Sequence, residues 1–287
     1  MFAVAVTLAA IGALLIAVGA AIQERVVVTT HSSRLAFFLQ LLRNPRWLAG
    51  GVCGGVGVGL HVVALSNGPV SVIQPVGTLG LLFAVVTKAI LDRRRLPAAA
   101  IWGCAAVVAG LAGLLVVLPH GGETPHLPTG AAALLASATI AAIVVALLIA
   151  APAGVRAVLL AVTAGTAFGI ASAIIGVIGH RMADQPGALI GWPTLLVVLL
   201  LISGGIAQQT AYRMSRFALA YAVLLIADPV AASAVGVLLL GNPMPGSAFL
   251  AAWMGLSALV VVVGVVMLAH SYAVETQRIG EDQKCAS

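Results

Sequence analysis

Nine apolar runs of about twenty residues dominate the chain, at 2–22, 47–66, 70–91, 98–118, 131–150, 157–178, 191–211, 217–240 and 247–270. About twenty apolar residues in helical form span the roughly 30 Å of a bilayer's hydrocarbon. Each run therefore predicts one membrane-crossing helix. The segment 33–44 (SRLAFFLQLLRN) has a different pattern. Leu35, Phe38, Leu41 and Leu42 share one apolar face, and Arg34 and Arg43 reach toward headgroups. This predicts a short interfacial helix. Pro45 ends it, and Trp47 opens the next span at the interface, where Trp is favoured. A Pro/Gly-rich linker at 119–130 (PHGGETPHLPTG) divides the chain near its middle, and the residues after His270 read as a short, polar, mobile tail.

Composition sharpens the class. Of 287 residues, 62% are hydrophobic and only 8% are charged, against about 25% charged in soluble domains. Mean hydropathy is +1.16. A soluble globular domain is excluded. The net charge of +6 does not point to nucleic acid, because the basic residues are scattered in short loops, where they act as topology signals. With the N-terminus outside, the inner segments carry Arg25, Arg34, Arg43, Arg46, Lys88, Arg93, Arg94, Arg95, Arg156, Arg213, Arg216, Arg278 and Lys284, and the outer segments carry only Arg181. That distribution selects nine spans with the C-terminus inside. A tenth span at 26–42 is the alternative, and it would bury His31 and Arg34. No Lys or Arg precedes the first run, so it reads as a retained span and not as a secretory signal. Cys53, Cys104 and Cys285 have no metal or redox spacing; the first two fall in apolar runs as small packing residues.

A weak internal repeat organises the spans. Residues 64–76 (ALSNGPVSVIQPV) align without gaps on 218–230 (ALAYAVLLIADPV), with Gln74 on Asp228 and Pro75 on Pro229. Four spans in 1–118 match four in 157–270. The odd span in 119–156 gives the two halves opposite orientations, and 271–287 forms the tail. The expected fold is an all-α, polytopic membrane helix bundle, with about nine spans in two inverted four-helix repeats joined by a central helix. Inverted repeats with interrupted helices in corresponding places point to a midplane site at the repeat interface.

Asp228 is the strongest candidate within such a site. It is the only acidic residue that the pattern places at membrane depth, where a carboxylate costs about 2.5–3.5 kcal/mol on insertion scales. Two readings stand: a proton or cation coupling group, or an Asp that pins an interrupted helix. Pro75 and Pro229 each remove a backbone donor and free the carbonyl four residues back. Gln74 and Thr78 lie one turn apart and face the same way. His61, in the second span, reads as a proton relay or as a packing histidine. Gln208, Gln209 and Thr210 form a polar cluster that would meet a substrate or bond between helices. Gly51, Gly55 and Gly59, and likewise Gly165 and Gly169, form small-residue faces for close helix approach, within the bundle or in a homodimer. No nucleophile–base pair, zinc pattern or nucleotide fingerprint is present, so no enzyme activity, cofactor or metal site is expected.

The run 64–96, with its Ala-Leu-x-x-Gly-Pro start, and its counterpart 218–244 resemble the drug/metabolite transporter superfamily, in its EamA-like branch. The second run ends in Gly-Asn (Gly241, Asn242) where that branch usually has Gly-Glu. The nine-span layout is similar to the NIPA-like magnesium transporters. Their Gly-Glu-x-x-Asn pattern falls here on Gly57, Val58 and His61, without the acid that Mg²⁺ prefers. The resemblance implies a multi-pass secondary transporter of the bacterial cell membrane. It would move a small metabolite, drug-like compound or lipid-linked substrate by alternating access, and the reading of Asp228 as a coupling group would make protons the coupling ion. A divalent-cation transporter, and a non-transporting membrane subunit of an envelope-assembly complex, are the alternatives.

Overall fold

The computed structural model describes residues 2–30, 34–67, 76–93, 95–117, 129–182, 191–214, 217–239 and 247–285. Gln74 and Pro75 lie outside these residues, as does most of the 119–130 linker. Every regular element among the described residues is a helix: α1 (Phe2–Thr29), α2 (Arg34–Arg43), α3 (Pro45–Asn67), α4 (Gly80–Leu91), α5 (Ala98–Val117), α6 (Thr129–Leu148), α7 (Ala153–Met182), α8 (Trp192–Met214), α9 (Phe217–Leu238) and α10 (Ala248–Cys285). Seven of them are long and apolar enough to cross a membrane, and 76–91 and 98–114 are shorter apolar helices. The chain is an all-helical membrane protein.

Local sequence explains the boundaries. Asn44 separates α2 from α3, and its side-chain Oδ1 accepts hydrogen bonds from the backbone N–H of Arg46 (3.0 Å) and Trp47 (3.3 Å). This is an N-cap, with Pro45 at the first helical position, where its missing N–H costs nothing. The interfacial helix lies within one residue of its expected limits, but its inner face is different. Phe37 and Leu41, one turn apart, are buried, and Leu42 is exposed. Helix α1 continues seven residues beyond the apolar run because Val26 and Val27 are buried on its continuation. It therefore takes part of the alternative 26–42 span, and α2 takes the rest. At the other end of the chain, α10 stays helical to Cys285, where a mobile polar tail was expected beyond His270.

The helices sort into two compact units. The first comprises Met1–Val117, Arg216–Ala222 and Ser247–Ser287; the second comprises Leu118–Ser215 and Val223–Gly246. In the first unit α1 packs on α3, and α5 on α10. Both pairs are antiparallel seams of small residues spaced by seven. Gly12 faces Gly57, and Gly19 faces Gly50 and Gly54. A Cβ on Gly57 would stand 2.6 Å from the Gly12 carbonyl oxygen, inside any real contact distance. In the second seam Gly103 faces Gly264 and Gly110 faces Ser257. The Trp253 indole Nε1–H donates to the Gly113 carbonyl at 3.0 Å. The expected face of Gly51, Gly55 and Gly59 is not the packed one. Nothing lies within 4 Å of a Cβ built on Gly55 or Gly59, and only the Gln23 amide approaches Gly51. At about 100° per residue, positions four apart drift by about 40° at each step. Positions 50, 54, 57 and 61 stay within a narrow stripe, and the antiparallel seam selects them.

In the second unit α6, α7 and α8 pack together, and the remainder of α9 lies along α7 at Gly165 and Gly169. Here the small-residue face does pack as the sequence indicates.

Candidate functional site

Helix α9 runs from Phe217 to Leu238 with Pro229 inside it. The proline deprives the Leu225 carbonyl of its helical donor, yet the helix is not unwound at that point. Asp228 is half-buried beside it, and among the described residues its carboxylate makes no hydrogen bond or ion pair. Its backbone is held tightly. A Cβ on Gly165 would be 2.5 Å from the Leu224 carbonyl oxygen and 2.7 Å from the Ala227 Cβ. One turn later, a Cβ on Gly169 would collide with the Asp228 carbonyl oxygen and lie 2.9 Å from the Ala231 Cβ. The match of 165 to 224–228 and of 169 to 228–232 makes the two helices parallel. Glycine at two successive turns of α7 thus brings the α9 backbone into direct contact at Asp228.

The first unit holds other expected site residues. His61 sits in the α1/α3 seam, where its backbone N is 3.2 Å from a Cβ built on Gly12. Its ring lies over Gly77, with Cε1 2.8 Å from a Cβ built there. Thr78 follows on the same turn and is buried. The structure therefore brings His61 and the Gly77–Thr78 turn together. The His61 Nδ1 is buried with no hydrogen-bond partner among the described residues. Tyr221, which sequence reasoning missed, joins this unit. It is buried, and its hydroxyl is 3.5 Å from a Cβ built on Gly80. It precedes Asp228 on α9 by two turns. Its signal was that spacing of seven, hidden within an otherwise aliphatic run.

Gln208 lies in the second unit. Its amide Nε2 donates to the hydroxyl of buried Tyr212 at 2.8 Å, one turn along α8. Thr210 bonds back to the Ile206 carbonyl at 2.7 Å, and Gln209 is buried and bonded. Among the described residues no three His, Cys, Asp or Glu side chains converge.

Asp228 is not the only acid inside a span. Glu24, in the last two turns of α1, is buried and forms an ion pair with Lys88 of α4. Lys88 also pairs with Asp92 at 3.0 Å, one turn further on. Lys88, read from sequence as a snorkelling topology charge, instead ties α1 to α4. Arg93, which follows, takes a left-handed conformation (φ 53°) and closes the helix, its N–H bonding to the Ile90 carbonyl at 3.2 Å. Removing one member of a buried pair strands the other charge. Lys88→Met is expected to lower stability by about 3 kcal/mol, near the low end for broken buried pairs, because Lys88 is 22% exposed and Glu24 only 5%. Glu24→Gln should cost less, since Lys88 keeps Asp92, and the double variant should recover most of the Lys88→Met loss. Denaturant unfolding in detergent measures all three; equal losses in the two single variants would contradict this ordering.

Comparison with known proteins gives few relatives. No protein-family profile matches the chain, and no solved structure matches it. An uncharacterised protein of Corynebacterium glutamicum is 27% identical over 278 residues, an alignment that covers 93% of this chain and 95% of that one. The likeness extends along nearly the full length of both chains.

Proposed function

We propose that this protein is a secondary transporter of the drug/metabolite transporter type, EamA-like in its motifs, which moves a small metabolite, drug-like compound or lipid-linked intermediate by alternating access. Asp228 is the coupling carboxyl and a proton the coupling ion. The observation that carries this reading is the state of Asp228. A carboxylate on a proline-bearing membrane helix, its backbone clamped by two glycines, makes no hydrogen bond or ion pair among the described residues. A structural Asp would spend its charge on internal partners, because an unpaired polar group at membrane depth is costly. A coupling Asp has to stay available to a proton and a substrate. Pro229 withholds the helical donor from the Leu225 carbonyl and so offers a second acceptor on the same turn.

The distribution of Arg and Lys residues supports a bacterial cell-membrane protein with its N-terminus outside and its C-terminus in the cytoplasm. It acts without a cofactor, carries out no enzymatic reaction, and has membrane lipid, protons and its substrate as partners.

The test is a ligand screen on the purified protein, followed by flux. A compound bound by the native state raises its apparent stability, and the same compound should dissipate a pH gradient across proteoliposomes containing the protein. Stabilising compounds that move no protons would remove the coupling ion from the proposal. A protein that binds none of these classes and purifies only within an envelope-assembly complex would overturn transport itself.

A further inference from the structure

The first unit carries a second set of ionisable groups that the transport reading does not use. We propose that Glu24, Lys88 and Asp92 form a proton-exchange site, in which Glu24 takes up a proton from water on the side that Asp92 faces and Lys88 passes from Glu24 to Asp92. Three observations carry the proposal. Lys88 Nζ is shared: it pairs with Glu24 on α1 and, at 3.0 Å, with Asp92 on its own helix. Exposure is graded, at 5% for the Glu24 side chain, 22% for Lys88 and 30% for Asp92, so the triad leads from a buried carboxylate to the exposed end of α4. The charges do not cancel, because two carboxylates hold one ammonium.

The third point decides the chemistry. In a simple buried pair, protonating the carboxylate strands the ammonium, at a cost of several kcal/mol. Here Asp92 already holds Lys88, so no unpaired charge is left. One O–H bond forms at a Glu24 carboxylate oxygen and one breaks in the hydronium that delivers the proton. Lys88 remains an ammonium throughout, and the net charge of the triad goes from minus one to zero. The ion pair between α1 and α4 is lost in the same step, so proton uptake loosens that helix contact.

Among the surrounding groups, Arg25 adds a further positive charge beside Glu24. Arg25 beside Glu24, Arg43 at the end of α2, Arg46 at the start of α3, and Arg93 and Arg95 after α4 are all exposed. His61 is the other titratable group of α3 apart from Cys53, and it lies far along that helix. On α4 there is no further charged group, Cys104 of α5 is buried, and the Tyr221 hydroxyl meets α4 at Gly80, two turns before Lys88. No other carboxylate is present on α1–α5.

The site is independent of Asp228, and its test separates the two. In an Asp228→Asn background, which removes that carboxyl from the spectrum, infrared titration in lipid nanodiscs should still show a protonated-carboxyl stretch that grows as pH falls, and adding Glu24→Gln should abolish it. Lys88→Met removes the charge that holds Glu24 ionised and should move the midpoint to higher pH by about 1–3 units. Asp92→Asn removes a repelling carboxylate and should move it lower. Asp92 is partly exposed, so this variant keeps the fold and carries the test even where Lys88→Met is too unstable to titrate. In the Asp228→Asn background, the absence of any titrating band, a band unchanged by Glu24→Gln, or a midpoint indifferent to Asp92→Asn would reduce the triad to a static clamp. Each of these failures leaves the Asp228 reading intact, and loss of gradient-driven transport coupling at Asp228 has no bearing on the Glu24 band.

Discussion

Asp228→Asn is expected to abolish uptake driven by a pH gradient in proteoliposomes while leaving a folded protein that still exchanges substrate for substrate. Asparagine has nearly the same shape and keeps the acceptor oxygen, but it cannot load and release a proton. Exchange requires only that the loaded site reorient. Net uptake requires that the empty carrier return, and a coupling carboxyl permits this return only in a defined protonation state. The separation of the two fluxes is what a purely structural Asp would not produce. If Asp228 merely pinned α9, the amide would either satisfy the same contacts and leave both fluxes unchanged, or fail to do so and reduce both with the amount of folded protein. Gradient-driven uptake at the wild-type rate would remove Asp228 from the coupling step. The expected loss is large, since about 2.5–3.5 kcal/mol is the cost of keeping this charge in the membrane at all, and the variant discards the use to which that cost is put.

The helices were legible in the sequence because bilayer thickness sets the length of apolar runs, and among the described residues seven runs form helices of spanning length while 76–91 and 98–114 form shorter apolar ones. What pattern could not resolve was the assignment of faces. Gly51, Gly55 and Gly59 looked like a packing stripe, but the α1/α3 contact runs along Gly50, Gly54, Gly57 and His61. A helix that is apolar all round presents several small-residue stripes, and only the partner helix chooses among them. Gly165 and Gly169 were read correctly because that face meets a parallel helix over a short crossing, where a spacing of four suffices. Glu24 was missed for a different reason. Its charge appeared to end the first span, and the pattern gives no sign that Lys88, sixty-four residues later, neutralises it inside the fold. Pairing between distant residues is information that hydropathy does not carry. Asp228 stood out because it had no such partner.

Gly169→Ala is expected to be strongly destabilising, and Gly169→Leu to yield no folded protein, whereas Gly205→Ala should be neutral or mildly stabilising. The three comparisons isolate one contact. A Cβ on Gly169 would meet the Asp228 carbonyl oxygen, the Ala231 Cβ at 2.9 Å and the Ala232 backbone N at 2.9 Å. These are backbone and first side-chain atoms of a helix, with no flexible end to move aside. Overpacking of this kind costs about 1–3 kcal/mol for a single methyl group where neighbours can shift, and here the whole of α9 would have to shift. Gly205 has nothing within 4 Å of its Cβ position, so alanine there collects only the helix-propensity gain of up to about 1 kcal/mol. Thermal unfolding of the purified variants measures the stability order. The functional consequence goes beyond stability, because the atom that Gly169→Ala would displace is the carbonyl of Asp228 itself. Alanine at 169 should therefore impair gradient-driven uptake more than its loss of folded protein accounts for, while a variant of equal instability in the Gly103–Gly264 seam should lose transport only in proportion to folded protein. Equal specific activity in the two would show that the α7 contact holds α9 in place without setting the position of its carboxyl.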